Sequence, residues 1–293
     1  MARARFSGLV TSAILALVVS VAGCSTESDI LRAPVAIGVT TDSPAINYQD
    51  PVTSKRSGFE VSLYEWITDS SGEHIPPHEI EVLVSEREKA LVRGARAGGV
   101  DLVVATYSIS TPREDWVDFA GPYLETRQGV MVRADDPRRI TNPSQLRGRS
   151  VCAEAGSTSI NELRVILGVI VSEKPALVEC VQDLKEGHVD VVSTDWMVLH
   201  GYARSEPALR LENDVTFGAI QEWGIGLRPE DGTASCELVS GKIEEFMSSG
   251  AWETAFRNHF GDGLEPANFK PKNLKPCVAD PDPKADEAAG PDG

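Results

Sequence analysis

The sequence is short of positive charge, of histidine and of long apolar stretches, and each shortage removes a class of function. Twenty-eight Lys and Arg stand against 44 Asp and Glu, giving a formal charge of -16 over 293 residues. Phosphate contacts need clustered Lys and Arg, so nucleic acid is excluded as a partner. The mostly apolar run Leu9 to Val21 is too short for a membrane-spanning helix, which takes about 20 residues. The five histidines, His74, His78, His188, His200 and His259, are scattered, and His74 and His78 merely bracket Pro76-Pro77. There is no Ser-His-Asp/Glu motif, no Gly-Lys-Ser/Thr phosphate loop and no His-Glu-x-x-His helix. No Cys-x-x-Cys pair is present either, which argues against a four-thiol zinc site. No catalytic residue, metal or cofactor is expected.

What is there begins with an export signal. Arg3 and Arg5 form a basic n-region before the apolar run, so residues 1–23 read as a signal peptide. The run ends in Val21-Ala22-Gly23-Cys24, which resembles a bacterial lipobox; the resemblance implies acylation of Cys24 and a lipid anchor on the extracytoplasmic face of the cell membrane. Residues 24–33 are then a polar tether. The tail at 279–293, rich in Asp, Pro, Ala and Gly without apolar periodicity, is expected to be disordered. Between tether and tail there is enough chain for two lobes of ordinary domain size.

That middle alternates strands and helices. Val35 to Val39, Ile80 to Val84 and Asp101 to Ala105 read as strands, with helices at Gly58 to Ile67 and Glu86 to Ala97 between them. The pattern restarts with strands at Val151 to Ala153 and Val189 to Ser193 and a helix at Ser157 to Leu167. Tyr202 to Leu211 is ambiguous. A strand at Gly224 to Leu227 and helices at Ala234 to Met247 and Ala251 to Phe260 follow. Such β-α-β alternation implies an α/β fold with mainly parallel sheets covered by helices. Ligands of open α/β sheets bind beyond the carboxyl ends of the strands, here near Thr41, Val84, Thr106, Ala153 and Thr194.

The stretch from Gly99 to Arg133 carries the chemistry. A β-branched run ends in hydroxyl residues, Thr106, Ser108, Ser110 and Thr111, with Arg113 just beyond. Hydroxyls at a strand end and a planar guanidinium together suit a carboxylate. Ser110-Thr111-Pro112-Arg113 followed by Val117-Asp118-Phe119-Ala120-Gly121-Pro122-Tyr123 is similar to the signature of the solute-binding proteins of polar amino-acid ABC importers, extracellular family 3. The resemblance covers roughly Pro34 to Cys277. It implies a two-lobe periplasmic-binding-protein type II fold with two parallel or mixed sheets and a double-crossover hinge: lobe 1 from 34–129 plus 226–278, lobe 2 from 130–225. Of the three possible pairings of Cys152, Cys180, Cys236 and Cys277, Cys152–Cys180 with Cys236–Cys277 respects that split.

The resemblance also assigns roles. Arg113 would grip the ligand α-carboxylate with Thr106 and Ser108, against the alternative of a solvated arginine paired with Glu114 or Asp115. Ser157 and Thr158 would meet the same anion from a helix start, or be plain caps. Asp195 would take the α-ammonium. Ser85-Glu86-Arg87 looks like the Ala-Asn-Arg segment of the glutamate/aspartate branch, so Arg87 would meet a second carboxylate; the alternative is a solvated face of alternating charge. Asp42-Ser43-Pro44, Ala105-Thr106-Tyr107 and the Cys152/Cys180 placement favour the same branch and add Asp42 and Tyr107 to the expected site. Thr40 and Trp196 depart from that branch, where a lysine and a second aspartate are common. A monomer is expected, with a polar amino acid as ligand and a permease as partner. A lipoprotein signalling to a membrane sensor, or a dehydratase on the same fold, are the other readings.

Overall fold

The computed structural model describes residues 30–31, 34–69 and 76–277. The expected signal peptide, Cys24, most of the tether, His74 and the tail at 279–293 lie outside the described residues. The chain opens with β1 (Ala36–Val39), then a small antiparallel ribbon of β2 (Asp42–Ser43), β3 (Asn47–Gln49) and β4 (Arg56–Ser57), then α1 (Phe59–Asp69). β5 (His78–Glu81) and α2 (Arg87–Arg93) lead to β6 (Leu102–Ser108), the single turn α3 (Thr111–Glu114) and the long β7 (Asp118–Gln128). A second series follows: β8 (Met131–Arg133), β9 (Val151–Glu154), α4 (Thr158–Asn161), β10 (Val171–Lys174), α5 (Leu177–Glu186), β11 (Val191–Val192), α6 (Trp196–Ser205) and β12 (Leu209–Leu211). β13 (Phe217–Leu227), α7 (Gly232–Ser248) and α8 (Ala251–Phe260) complete it.

Two five-stranded mixed sheets result, ordered β5-β1-β6-β13-β7 and β10-β9-β11-β8-β12. β1 is parallel to β5 and β6, and β9 to β10 and β11, whereas β13 runs antiparallel to β6 and β7 and β8 runs antiparallel to β11 and β12. The chain leaves the first sheet after Gln128 and returns to it at Phe217, which pairs with Gln128. The expected lobe boundary at 225/226 therefore falls inside β13. Only the end of that strand, Trp223 to Leu227, is continuously buried; Gly218 to Ile220 is half-buried or exposed, which hid the first half of the strand from a search for apolar runs.

Local chemistry ends the helices. The helix expected from Glu86 to Ala97 stops at Arg93 because Gly94 takes φ 67°, a conformation open to glycine. The helix expected from Ser157 to Leu167 is one α-turn followed by π-helical Glu162–Ile166. Tyr202 to Leu211 resolves into the end of α6 and β12.

Packing centres on Phe59 at the start of α1. Its ring lies 5.5–6.5 Å from Tyr123, Phe246, Trp252, Phe256 and Phe260, drawing α1, α7 and α8 onto β7. Losing such a ring costs about 3–5 kcal/mol. Both disulfides form: Cys152–Cys180 ties β9 to α5, and Cys236–Cys277 ties α7 to the C-terminal segment.

Candidate functional site

β6 delivers the first wall. Its buried run ends at Thr106, a non-glycine residue at φ 46°. Left-handed backbone of this kind costs about 1–3 kcal/mol and persists only where its surroundings hold it. Glu60 holds it: its Oε1 accepts from the Thr106 N–H at 2.6 Å and from the Tyr123 hydroxyl at 2.5 Å. Complete burial pushes the Glu60 carboxyl up.

The kink presents carbonyls to Arg87, at the start of α2. Arg87 is 1 % exposed; Nε donates to Val84 O at 3.0 Å, and Nη1 to Ala105 O at 2.9 Å and Thr106 O at 3.3 Å. The solvated-face alternative for this arginine is therefore removed. Arg113 folds back from α3, its Nη1 donating to Ser108 O at 2.7 Å. It pairs with neither Glu114 nor Asp115; its nearest carboxylate is Glu88, Oε1 lying 3.8 Å from Nε. The Tyr107 ring lies under both guanidiniums, 4.1 Å from Arg87 Cζ and 4.9 Å from Arg113 Cζ. Burial first, then the neighbouring Arg87, lowers Arg113 to about 10.

The second sheet's elements supply the opposite wall. Gly156 O accepts from Arg113 Nη2 at 3.0 Å, so the two halves touch at this arginine. Gly156 has φ 76°, and a Cβ there would lie 2.7 Å from Ser85 Cα. Ser157 occupies the cap position of α4 but makes no capping bond, and its hydroxyl is buried without a partner. The Thr158 hydroxyl donates to Gln221 Oε1 on β13 at 2.8 Å. Asp195 follows β11 and is 5 % exposed; Oδ1 accepts from Gln128 Nε2 at 2.7 Å and Oδ2 from Trp223 Nε1 at 2.6 Å. Burial raises its carboxyl to about 6 against the pull of Trp223, Arg113 and Arg87.

These groups enclose one polar cavity. The first-sheet side contributes Val84, Arg87, Thr106, Ser108 and Arg113; the second contributes Glu154, Ser157, Thr158, Ser159, Thr194 and Asp195. Its volume is about 20 Å³, room for roughly one water. Seven expected residues, Arg87, Thr106, Ser108, Arg113, Ser157, Thr158 and Asp195, are thus brought together.

Two expected residues, Tyr107 and Asp42, stand apart from this cavity. Tyr107 does not line the cavity, because alternation along β6 turns it into the layer behind; its hydroxyl is spent on Glu88 Oε1 at 2.5 Å. Asp42 does not line it either. Its Oδ2 accepts from the Val178 N–H at 3.2 Å, in the first turn of α5, and its carbonyl accepts from the Tyr202 hydroxyl at 2.6 Å. An acidic side chain there is favoured by the helix dipole.

Other members had not been anticipated. Glu154 ends β9 directly after Ala153 and is 9 % exposed; the strand-end rule pointed one residue short of it. Gln128 and Trp223, which fix Asp195, are 67 and 28 residues away in the chain, and nothing local marks them.

A larger groove of about 690 Å³ is lined by residues including Glu125, Arg127, Trp196, Ile220 and Phe269. It holds mixed charge and none of the convergent polar groups of the small cavity. Size alone does not make it the site.

Comparison with known proteins agrees with the geometry. The family model for bacterial extracellular solute-binding proteins, family 3, matches residues 35–262. The chain is similar to the glutamate-binding protein GluB of Corynebacterium efficiens, 29 % identical over 273 residues, covering 88 % of this chain and 91 % of the relative. GluB of Corynebacterium glutamicum is 30 % identical over 237 residues, covering 78 % and 79 %. Among solved structures, an ancestral arginine-binding protein bound to arginine superposes with a TM-score of 0.68 at 26 % identity, covering 79 % of this chain and all of that one.

Proposed function

The chain belongs to the bacterial extracellular solute-binding proteins of family 3, and from that premise we propose that it captures a polar amino acid of the glutamate or glutamine kind between its two lobes for an ABC importer. One observation carries the reading: Arg113 and Asp195, of opposite charge and from opposite halves, line one cavity with hydroxyls around them. A zwitterion needs that pair. Arg113, helped by Ser108, Thr106, Ser157 and Thr158, takes the α-carboxylate; Asp195, ionised above about pH 6, takes the α-ammonium.

Arg87 faces the ligand side chain. Its Nε and Nη1 are committed to main-chain carbonyls, so Nη2 is the nitrogen that serves the ligand. An added cation there suits a carboxylate or a carbonyl oxygen, in keeping with the glutamate-binding relatives. The 20 Å³ cavity is a closed arrangement too small for an amino acid, so entry requires the halves to part. Asp42 on α5 and Arg113 on Gly156 then act as closing contacts. Acylation of Cys24 would hold the protein, as a monomer, beside a permease.

Thermal melting against a panel of amino acids tests this. Glutamate, aspartate, glutamine or asparagine at about 100 times its Kd stabilises the folded state by about 2.7 kcal/mol. A panel in which none of these raises Tm while a sugar or peptide does would reject the reading. Neighbouring genes for a permease and ATPase, rather than a receptor kinase, favour import over sensing.

A further inference from the structure

Glu154 has no part in the scheme above, yet it lies in the same cavity as Arg87. It is a buried acid where an acidic ligand side chain would arrive. Resting on the amino-acid reading, we propose that Glu154 is the specificity-determining partner of Arg87: protonated, it donates to a ligand side-chain carboxylate, and ionised, it accepts from a side-chain amide.

The chemistry follows from the donor count. With Arg113 and Asp195 satisfying the backbone ends, Arg87 and Glu154 face what remains. A carboxamide has one acceptor oxygen and an NH2 group, which match a guanidinium on one side and a carboxylate on the other. A carboxylate has only acceptors. It suits Arg87 equally, but it repels an ionised Glu154 and bonds to it only when Glu154 carries a proton.

The surroundings set where that proton is held. Burial, then the like charge of Asp42 from β2, raises Glu154 to about 8, against Arg87 from α2 and a backbone N–H at Leu177 from α5. Lys174 on β10 is the strand neighbour of Glu154, but its Nζ is drawn away to Asp183 at 2.8 Å. Tyr202 on α6 feels the charge of Glu154 and stays protonated, and Asp195 and Arg113 complete the cavity. Near neutrality Glu154 is therefore the donor that glutamate needs. Above about pH 8 it becomes the acceptor that glutamine needs.

Calorimetric Kd values for glutamate and glutamine, measured on the intact protein at pH 7 and pH 9, test the assignment. Titration of the ligand ammonium, of Asp195 and of Asp42 acts on both ligands and cancels in the ratio of the two constants. The expected result is that preference for glutamate over glutamine falls about a hundredfold between these pH values, as a difference of one bound proton between the two complexes requires. In Glu154→Gln the ratio becomes independent of pH. A ratio that is flat in the parent overturns the proposal without need of the variant, as does a ratio that shifts equally in Glu154→Gln. If neither ligand binds at either pH, it is the amino-acid reading itself that fails.

Discussion

Tyr107 carries Arg87 and Arg113 on one ring, but the two guanidiniums are anchored differently, and that decides what each substitution does. Arg113 spends two donors on Ser108 O and Gly156 O and keeps others for a ligand. Arg113→Ala should weaken glutamate and glutamine alike, by about 2–5 kcal/mol, because either ligand would bury its α-carboxylate poorly paired. Arg87→Ala should weaken glutamate more than glutamine. It should also lower the melting temperature of the ligand-free protein, since the carbonyls of Ala105 and Thr106 lose a buried donor, worth about 1–3 kcal/mol. Calorimetry with both ligands, beside ligand-free melting curves, checks the pair; equal losses for both ligands in Arg87→Ala would remove its side-chain role. At this scale the sequence revealed residue types well and surroundings poorly. The hydroxyl-rich strand end and Arg113 stood out because they are consecutive. Arg87 sits among Glu86, Glu88 and Lys89, where local charge alternation resembles a solvated face; only the kinked end of β6 shows that it is buried.

At the scale of elements, contact between the halves is made by backbone as much as by charge. Gly156, between β9 and α4, presses on Ser85 just ahead of α2, and Gly201 in α6 presses on Pro44 after β2, where a Cβ would stand 2.0 Å from the Pro44 carbonyl oxygen. Gly156→Ala would meet both the φ of 76° and the Ser85 backbone, so it opposes closure more than folding of either half. The expected outcome is a loss of about tenfold or more in affinity for glutamate and for glutamine, about 1.4 kcal/mol, with their ratio unchanged. A changed ratio, or unaltered affinity for both, would show that this contact does not govern closure. Strand and helix existence was legible because apolar runs alternate with amphipathic ones. Boundaries were less so: the expected boundary at 225/226 cut β13, whose half-exposed beginning carries no apolar run and is held by pairing to β7. Register between strands distant in the chain also placed Trp223 and Gln128 on Asp195, and no local pattern encodes that.

For the whole molecule, charge and the proposed acyl anchor pull in opposite directions. A chain of formal charge -16, two units more negative once residues 1–23 with Arg3 and Arg5 are removed, is repelled by anionic membrane surfaces. Electrostatics cannot hold it peripherally, and among the described residues no helix is long and apolar enough to cross a membrane. On the proposed acylation, membrane retention would rest on Cys24, read from the residues Val21-Ala22-Gly23-Cys24 and lying outside the described residues. Each buried CH2 of a lipid chain contributes about 0.8 kcal/mol, and stable attachment takes two chains, so retention by acylation should survive washes that strip charged proteins. The expected outcome is that the exported protein sediments with membranes in low and high salt alike. Cys24→Ser should move it to the soluble fraction with amino-acid binding intact, because the substitution changes none of the residues that line the cavity. Fractionation of cells expressing each form, followed by calorimetry on the released protein, measures both halves of this. A Cys24→Ser form that still sediments would mean that another segment or a partner, rather than a lipid, fixes the protein at the membrane.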